Sequence, residues 1–200
     1  SYLATVTADM HGIVWELDLA SPSPSMTEFC TFQLGRIENM SYFLPVDPAG
    51  SSPVVSGLFD TFAQDVAVSW TTTGILHTWT AKIDRQKKSV TWLNLSTTDT
   101  SIQNPSLGSG TSIRKAALVD KSRSTLTIWD TKSGRLDYEE TFDNQTIQDL
   151  DWASTPDNQS ILAVGFSHTV FVYTQLRYDY VNERPSWSRI KEVNTRHLSP

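Results

Sequence analysis

Asp149 and Asp151 flank Leu150 near the end of this 200-residue chain. Residues two apart on an extended strand point to the same face, so these two carboxylates would stand together. Carboxyl groups about 5–9 Å apart are the pair that glycoside hydrolysis uses, one as acid and one as base or nucleophile. The same spacing also suits the polar side of a half-buried strand. Leu150 and Trp152 alternate with the acids, and that pattern favours the second reading. Glu139-Glu140 reads as a solvated hairpin edge. The four histidines, His11, His77, His168 and His197, lie far apart without ligand spacing. With Cys30 as the single cysteine, no zinc site assembles from these types. His77, two residues before Trp79, reads as a hydrogen-bonded strand histidine, and His11 and His168 read as surface turn residues. Cys30 lies in Phe29-Cys30-Thr31-Phe32 and reads as strand packing. The chain holds no phosphate loop ending in Gly-Lys-Ser/Thr and no Gly-x-Ser-x-Gly elbow. No catalytic residue, cofactor site or metal site is predicted.

Net charge narrows the partners. At −6 the chain advertises no phosphate-binding surface, so nucleic acid is not expected. The one basic run, Arg85-Gln86-Lys87-Lys88, reads as a solvated hairpin loop in preference to a contact for anionic lipid or an acidic partner. A lone cysteine forms no internal disulfide and points to a reducing compartment. On that ground the sequons at Asn39, Asn94, Asn144 and Asn158 are discounted. No apolar run approaches the roughly 18 residues of a membrane span, and no signal peptide is visible. The chain opens in mid-pattern at Tyr2-Leu3-Ala4-Thr5 without an initiator Met, which reads as a piece of a longer protein.

The elements that must position these groups repeat. From Ile147 to Tyr173 the chain gives three strands in order. Ile147, Leu150 and Trp152 mark the first. After a turn at Thr155-Pro156-Asp157-Asn158 comes Ile161–Gly165, and then Val170–Tyr173. Earlier copies of the third strand end at Trp15, Trp79 and Trp129. The intervals are 64, 50 and 44 residues, against about 40–45 for one blade of a β-propeller. Fourth strands are expected at 29–34, 90–95, 137–142 and 187–192. Turns are expected at Ala8–Gly12 and Thr73-Gly74. Ser21–Ser25, Pro45–Pro53 and Gln103–Gly110 are expected as surface insertions, with the first two strands of the third blade shortened or merged. Seven Trp, eight Phe and six Tyr among many Ser and Thr favour strands throughout. The expected fold is all-β, a WD-type β-propeller. It forms a partial ring of about four blades of four-stranded antiparallel sheets, and the first blade lacks its opening strand. Approximate blades are 1–35, 36–96, 97–143 and 144–200. Thr7-x-Asp9-x-x-Gly12-x-x-Trp15 approaches the Asp-box of sialidase propellers, but its spacing is off by one and no other blade repeats it.

Three runs carry a narrower likeness: Leu126–Thr131, Leu150–Asp157 and Ser160–Phe166. With the distinctive continuation Gln175-Leu176-Arg177-Tyr178-Asp179-Tyr180-Val181-Asn182-Glu183 and Trp187, the segment from Ser124 to Pro200 resembles the large WD-repeat subunit of the fungal RAVE complex. The animal relatives of that subunit are the DmX-like or rabconnectin-3 alpha proteins. Tyr173 stands in place of the usual Trp, and Ser167-His168 replaces the usual turn aspartate. The resemblance implies a very large cytosolic scaffold with propellers at its N-terminal end. It implies a role in assembling the vacuolar proton ATPase and so in vacuolar and endosomal acidification. Implied partners are proton-ATPase subunits, a smaller RAVE subunit and a Skp-type adaptor, met in the cytoplasm and peripherally at vacuolar or endosomal membranes.

The expected function is therefore a non-enzymatic interaction scaffold. Its candidate contacts are Arg177, Tyr178, Tyr180 and Trp187, because aromatics and Arg dominate binding hot spots. The same four residues would serve equally to stitch the last hairpin together. The rival functions are a glycosidase-like propeller hydrolase and a vesicle-coat trafficking scaffold.

Overall fold

The computed structural model describes residues 1–6, 11–33, 36–37, 40–41, 51–58, 66–111, 114–154, 159–176 and 186–196. Alternating apolar residues and tight turns build four antiparallel meanders. The first holds β1 (Tyr2–Val6), β2 (His11–Asp18) and β3 (Ser25–Gln33). A short ladder of β4 (Arg36–Ile37) and β5 (Met40–Ser41) follows. The second meander holds β6 (Ser51–Leu58), β7 (Val66–Thr71), β8 (Ile75–Asp84) and β9 (Ser89–Asp99). The third holds β10 (Leu107–Thr111), β11 (Lys115–Val119), β12 (Thr125–Asp130) and β13 (Arg135–Thr141). The fourth holds β14 (Asp149–Ser154), β15 (Ser160–Gly165), β16 (Thr169–Leu176) and β17 (Ser186–Asn194). In each, strands pair in sequence order.

The core lies between sheets, not within one. Val68, Trp70 and Leu76 of the second sheet pack on Ala116, Leu118 and Trp129 of the third. The other face of the third sheet presents Ala117, Val119 and Ile128 to Trp152, Leu162, Val164 and Tyr173 of the fourth. Strand β10 runs beside both β6 and β14, so first strands share an inner line while β3, β9, β13 and β17 lie outermost. Face-to-face stacking around an inner line is the propeller arrangement. The chain is all-β, a partial WD-type propeller with no helix and no closed ring among the described residues.

Three expectations are corrected. Gln103–Gly110 is not wholly a surface insertion: Leu107–Thr111 form the inner strand β10, with Ser109 and Gly110 buried. The first two strands of that sheet are accordingly distinct, not merged. The expected insertion at Pro45–Pro53 ends in strand, because β6 begins at Ser51. Pro53 falls where the β6–β7 register slips between Ser52 and Val55, which is where a strand tolerates a residue without an N–H. The expected turns at 8–10 and 155–158 lie outside the described residues, whereas His11 begins β2.

Candidate interaction surface

Each third strand carries the same device, although β2, β8 and β16 run three to five residues past the aromatic that was expected to end them. The ladder between third and fourth strands slips register immediately before Trp15, Trp79, Trp129 and Tyr173. Such a bulge bends the strand and re-aims the side chain. The aromatic then lies between blades, and its polar atom must find a partner. Trp15 Nε1 donates to Thr5 Oγ1 at 2.8 Å, and Trp79 Nε1 to Ser69 Oγ at 3.0 Å. Both hydroxyls sit ten residues upstream on the second strand. The equivalent position in the third sheet is Leu118, opposite Thr127. There the hydroxyl moves to the third strand: Trp129 Nε1 donates to Thr127 Oγ1 at 2.9 Å, and Thr127 donates to the Leu118 carbonyl at 3.0 Å. The fourth sheet offers Val164 and Phe171 at those positions. Tyr173 instead reaches across the junction and donates to Glu140 Oε2 at 2.6 Å.

Glu140 thereby becomes a hub. Tyr138 donates to the same oxygen at 2.8 Å, and Arg189 lies 3.6 Å from the other oxygen. The Arg189 guanidinium also covers the Phe171 ring at 4.3 Å, a cation–π contact that extends the pairing. Glu140 is therefore a junction residue, not the solvated edge expected of Glu139-Glu140. Burial first, then the hydrogen bond to Glu140 and its charge, push the Tyr138 hydroxyl up to about 12. Burial and the same carboxylate push Tyr173 upward as well. Replacing Tyr173 by Phe removes a hydrogen bond to a charged group, and we expect a loss of about 1.5–3 kcal/mol by urea denaturation at neutral pH. The pH sign follows from the raised values. The folded chain holds its tyrosine protons more tightly than the unfolded one, so this stabilisation is whole below the ordinary tyrosine pKa of about 10. It fades as pH rises through about 12 for Tyr138. A Tyr138→Phe/Tyr173→Phe variant should show a shallower alkaline decline.

A second polar node lies within the third sheet. Lys115 Nζ donates to Asp130 Oδ2 at 2.9 Å and Asp137 Oδ2 at 2.6 Å. Asp130 also closes the β12–β13 turn, accepting from the N–H groups of Lys132 and Ser133. Burial opposes its ionisation. The Lys115 hydrogen bond, the turn N–H groups and the lysine charge outweigh burial and hold the carboxyl at about 2. Asp18 and Asp84 close the equivalent turns in the first and second sheets in the same way. An aspartate ending each of these third strands was readable in the sequence as a turn-closing residue.

The residues singled out for chemistry disperse. Asp149 and Asp151 share the exposed side of β14, opposite Leu150 and Trp152, and Asp149 accepts from the Leu150 N–H at 2.9 Å. His77 is buried, stacks on Trp79 at 5.5 Å and bonds Thr97 Oγ1 through Nδ1 at 3.1 Å. Cys30 sits half-buried on β3, and burial raises its thiol pKa. No three His, Cys, Asp or Glu residues converge as a metal site among the described residues. Arg177, Tyr178 and Tyr180 lie outside the described residues. Trp187 is 5% exposed, packs edge-on against Trp152 at 5.8 Å, and pairs with Gln175 in the last hairpin. Its place is in the core.

Fold and junctions thus define a WD-type propeller segment whose polar groups serve blade packing. Residues 74–200 match the family described as RAVE protein 1 C terminal, and the chain belongs to that family. It is 32% identical over 200 residues to the Regulator of V-ATPase in vacuolar membrane protein 1 of Schizosaccharomyces pombe, covering 97% of this chain and 15% of that protein. The protein of the same name from Saccharomyces cerevisiae is 37% identical over 121 residues, covering 60% of this chain and 9% of that one. The chain thus spans a small fraction of either relative. The likeness extends well upstream of Ser124, where the sequence alone placed its start.

Proposed function

We propose that this chain is a non-catalytic interaction scaffold, part of a RAVE-like factor that promotes assembly of the vacuolar proton ATPase and hence vacuolar and endosomal acidification. The observation that carries this reading is the match to a regulator of V-ATPase along 97% of the chain. Its partners would be proton-ATPase subunits, a smaller RAVE subunit and a Skp-type adaptor. It would work in the cytoplasm and peripherally at the vacuolar or endosomal membrane. Each blade would act as a rigid unit, over 1–35, 36–96, 97–143 and 144–200. Rigid blades lower the ordering cost of binding. Contact would come from Arg177, Tyr178 and Tyr180, between β16 and β17, with Trp187 anchoring the end of that segment in the core.

The test is affinity purification of the full-length protein. The parent protein should recover proton-ATPase subunits, and a variant with Arg177, Tyr178 and Tyr180 all changed to Ala should recover roughly tenfold less, the scale of one or two hot spots. Its thermal midpoint should stay unchanged. Recovery of vesicle-coat subunits without ATPase subunits would refute the reading.

A further inference from the structure

In the first three sheets the third strand opens its hairpin loop in the same way. Asp18, Asp84 and Asp130 end β2, β8 and β12, and each accepts from the backbone N–H groups two and three residues on. From there the loops diverge. Residues 85–88 and 131–134 close the second and third hairpins with four residues, whereas residues 19–24 close the first with six.

The difference has a cause in the sequence. Both four-residue loops turn back through a left-handed last residue, Lys88 at φ 48° and Gly134 at φ 69°. Pro22 occupies that position in the first loop. Its ring fixes φ near −65° and forbids the same turn. The chain runs on through Ser23 and Pro24 before β3 begins at Ser25.

One hydroxyl is left with nothing to hold it. Ser21 is half-buried; its N–H donates to Asp18, and its Oγ accepts from the Ser23 N–H at 3.3 Å. Ser25 belongs to the ladder, opposite Asp18. Ser23 is exposed between two exposed prolines, and among the described residues its hydroxyl makes no hydrogen bond. Pro24 disfavours the helical region for Ser23 and biases it toward extended backbone. An exposed serine of this kind, followed directly by proline, is the acceptor of proline-directed protein kinases. Their cleft leaves a donor at the next position without a partner, and proline has no N–H to lose.

The hairpin's charges decide where a phosphate would lie. From His11 to Gln33 the chain carries Glu16, Asp18 and Glu28 and no Lys or Arg. A phosphate of about −1.5 to −2 charge therefore finds no cation on its own hairpin to draw it back, and it is open to a partner's arginines.

We propose that Ser23 is a phosphorylation site for a proline-directed serine kinase. Ser23 Oγ attacks the terminal phosphorus of a nucleoside triphosphate held by the kinase. The Oγ–P bond forms, the bond to the departing nucleoside diphosphate breaks, and the hydroxyl proton passes to the kinase's catalytic aspartate.

The test takes the full-length protein from the cells that make it, with phosphatases inhibited, and the same protein treated with a purified mitogen-activated kinase and ATP. Mass spectrometry of the loop peptide should place phosphate on Ser23 in both. Pro24→Ala should slow the purified kinase at Ser23 roughly tenfold or more, the scale of one lost pocket contact, with an unchanged thermal midpoint. Ser21→Ala should be modified at Ser23 as the parent is. A loop without phosphate in protein from cells overturns the proposal and leaves the Ser-Pro tract a stiff spacer. So does a Pro24→Ala variant modified at the parent rate. So does phosphate on Ser25 in place of Ser23, which would point to an acid-directed kinase reading Glu28. Recovery of ATPase subunits is a separate readout, so this site stands or falls apart from the scaffold reading.

Discussion

Replacing Lys115 by Met should destabilise the chain by about 3–5 kcal/mol, the usual consequence of leaving a buried charge without its partner. The charge at issue is Asp137, whose side chain is 1% exposed. Asp137 is the extra residue of the β13 bulge, between Leu136 opposite Trp129 and Tyr138 opposite Ile128. The corresponding extra residues are Phe29, Leu95 and Ile190 in the other three outer strands. Only the third sheet puts a carboxylate at that position, and Lys115 answers it. Without Lys115, Asp137 keeps Arg135 at 3.3 Å, but that side chain is half exposed and screened. A Lys115→Met/Asp137→Leu variant imitates the apolar bulges of the other sheets. It should recover most of the loss, because a buried ion pair replaced by apolar groups of similar volume is often neutral. Urea midpoints of the parent, single and double variants decide this. A single variant as stable as the parent would show that Lys115 is ornamental. The acid limb gives a second reading. Asp130, held at about 2, contributes stability that is complete above the ordinary carboxylate pKa of about 4 and lost as pH falls through its folded value. Lys115→Met should flatten that limb.

The aromatic spacing was legible because it rests on local chemistry. A third strand carrying Trp or Tyr recurs along the chain, although only β12 stops next to its aromatic. The outer strands were equally visible: Trp187–Glu192 lies within β17, and Val90–Leu95 within β9. What escaped was decided by partners distant in sequence. Leu107-Gly-Ser-Gly-Thr has no apolar alternation, so it reads as flexible punctuation. It is buried because Trp70 and Val68 of the preceding sheet fill the space above its glycines. Glu140 looks like a hairpin edge until Tyr173 arrives from 33 residues away. The Trp–hydroxyl pairs, ten residues apart, become meaningful only once strand register is known. Lys115 and Asp137 carry no sequence signal, since charge on a strand reads as solvent exposure by default.

Those glycines carry the other large effect. A Cβ at Gly108 would lie 2.5 Å from the Trp70 ring and 2.8 Å from Leu118 Cδ2. A Cβ at Gly110 would overlap Val68 Cγ2. Neither neighbour yields easily. Trp70 is fully buried and its Nε1 donates to the Pro105 carbonyl at 3.4 Å. Val68 is β-branched, with little rotamer freedom. Nor does β10 have room to retreat, because Trp152 Nε1 holds the Ser109 carbonyl at 3.1 Å from the opposite side. Relief on one seam therefore strains the other. Gly108→Val or Gly110→Val should cost at least the roughly 1–3 kcal/mol of an overpacked core, and the combined variant should fail to fold. Gly110→Ala permits a finer test. In a Val68→Ala background the obstructing methyl is gone, so Gly110→Ala should cost at least about 1 kcal/mol less than in the parent, within the range of coupled neighbours. Strict additivity of the two changes would mean that Gly110 is required by its own backbone rather than by the blade it faces. The packing account of the seam between the second and third sheets would then be wrong.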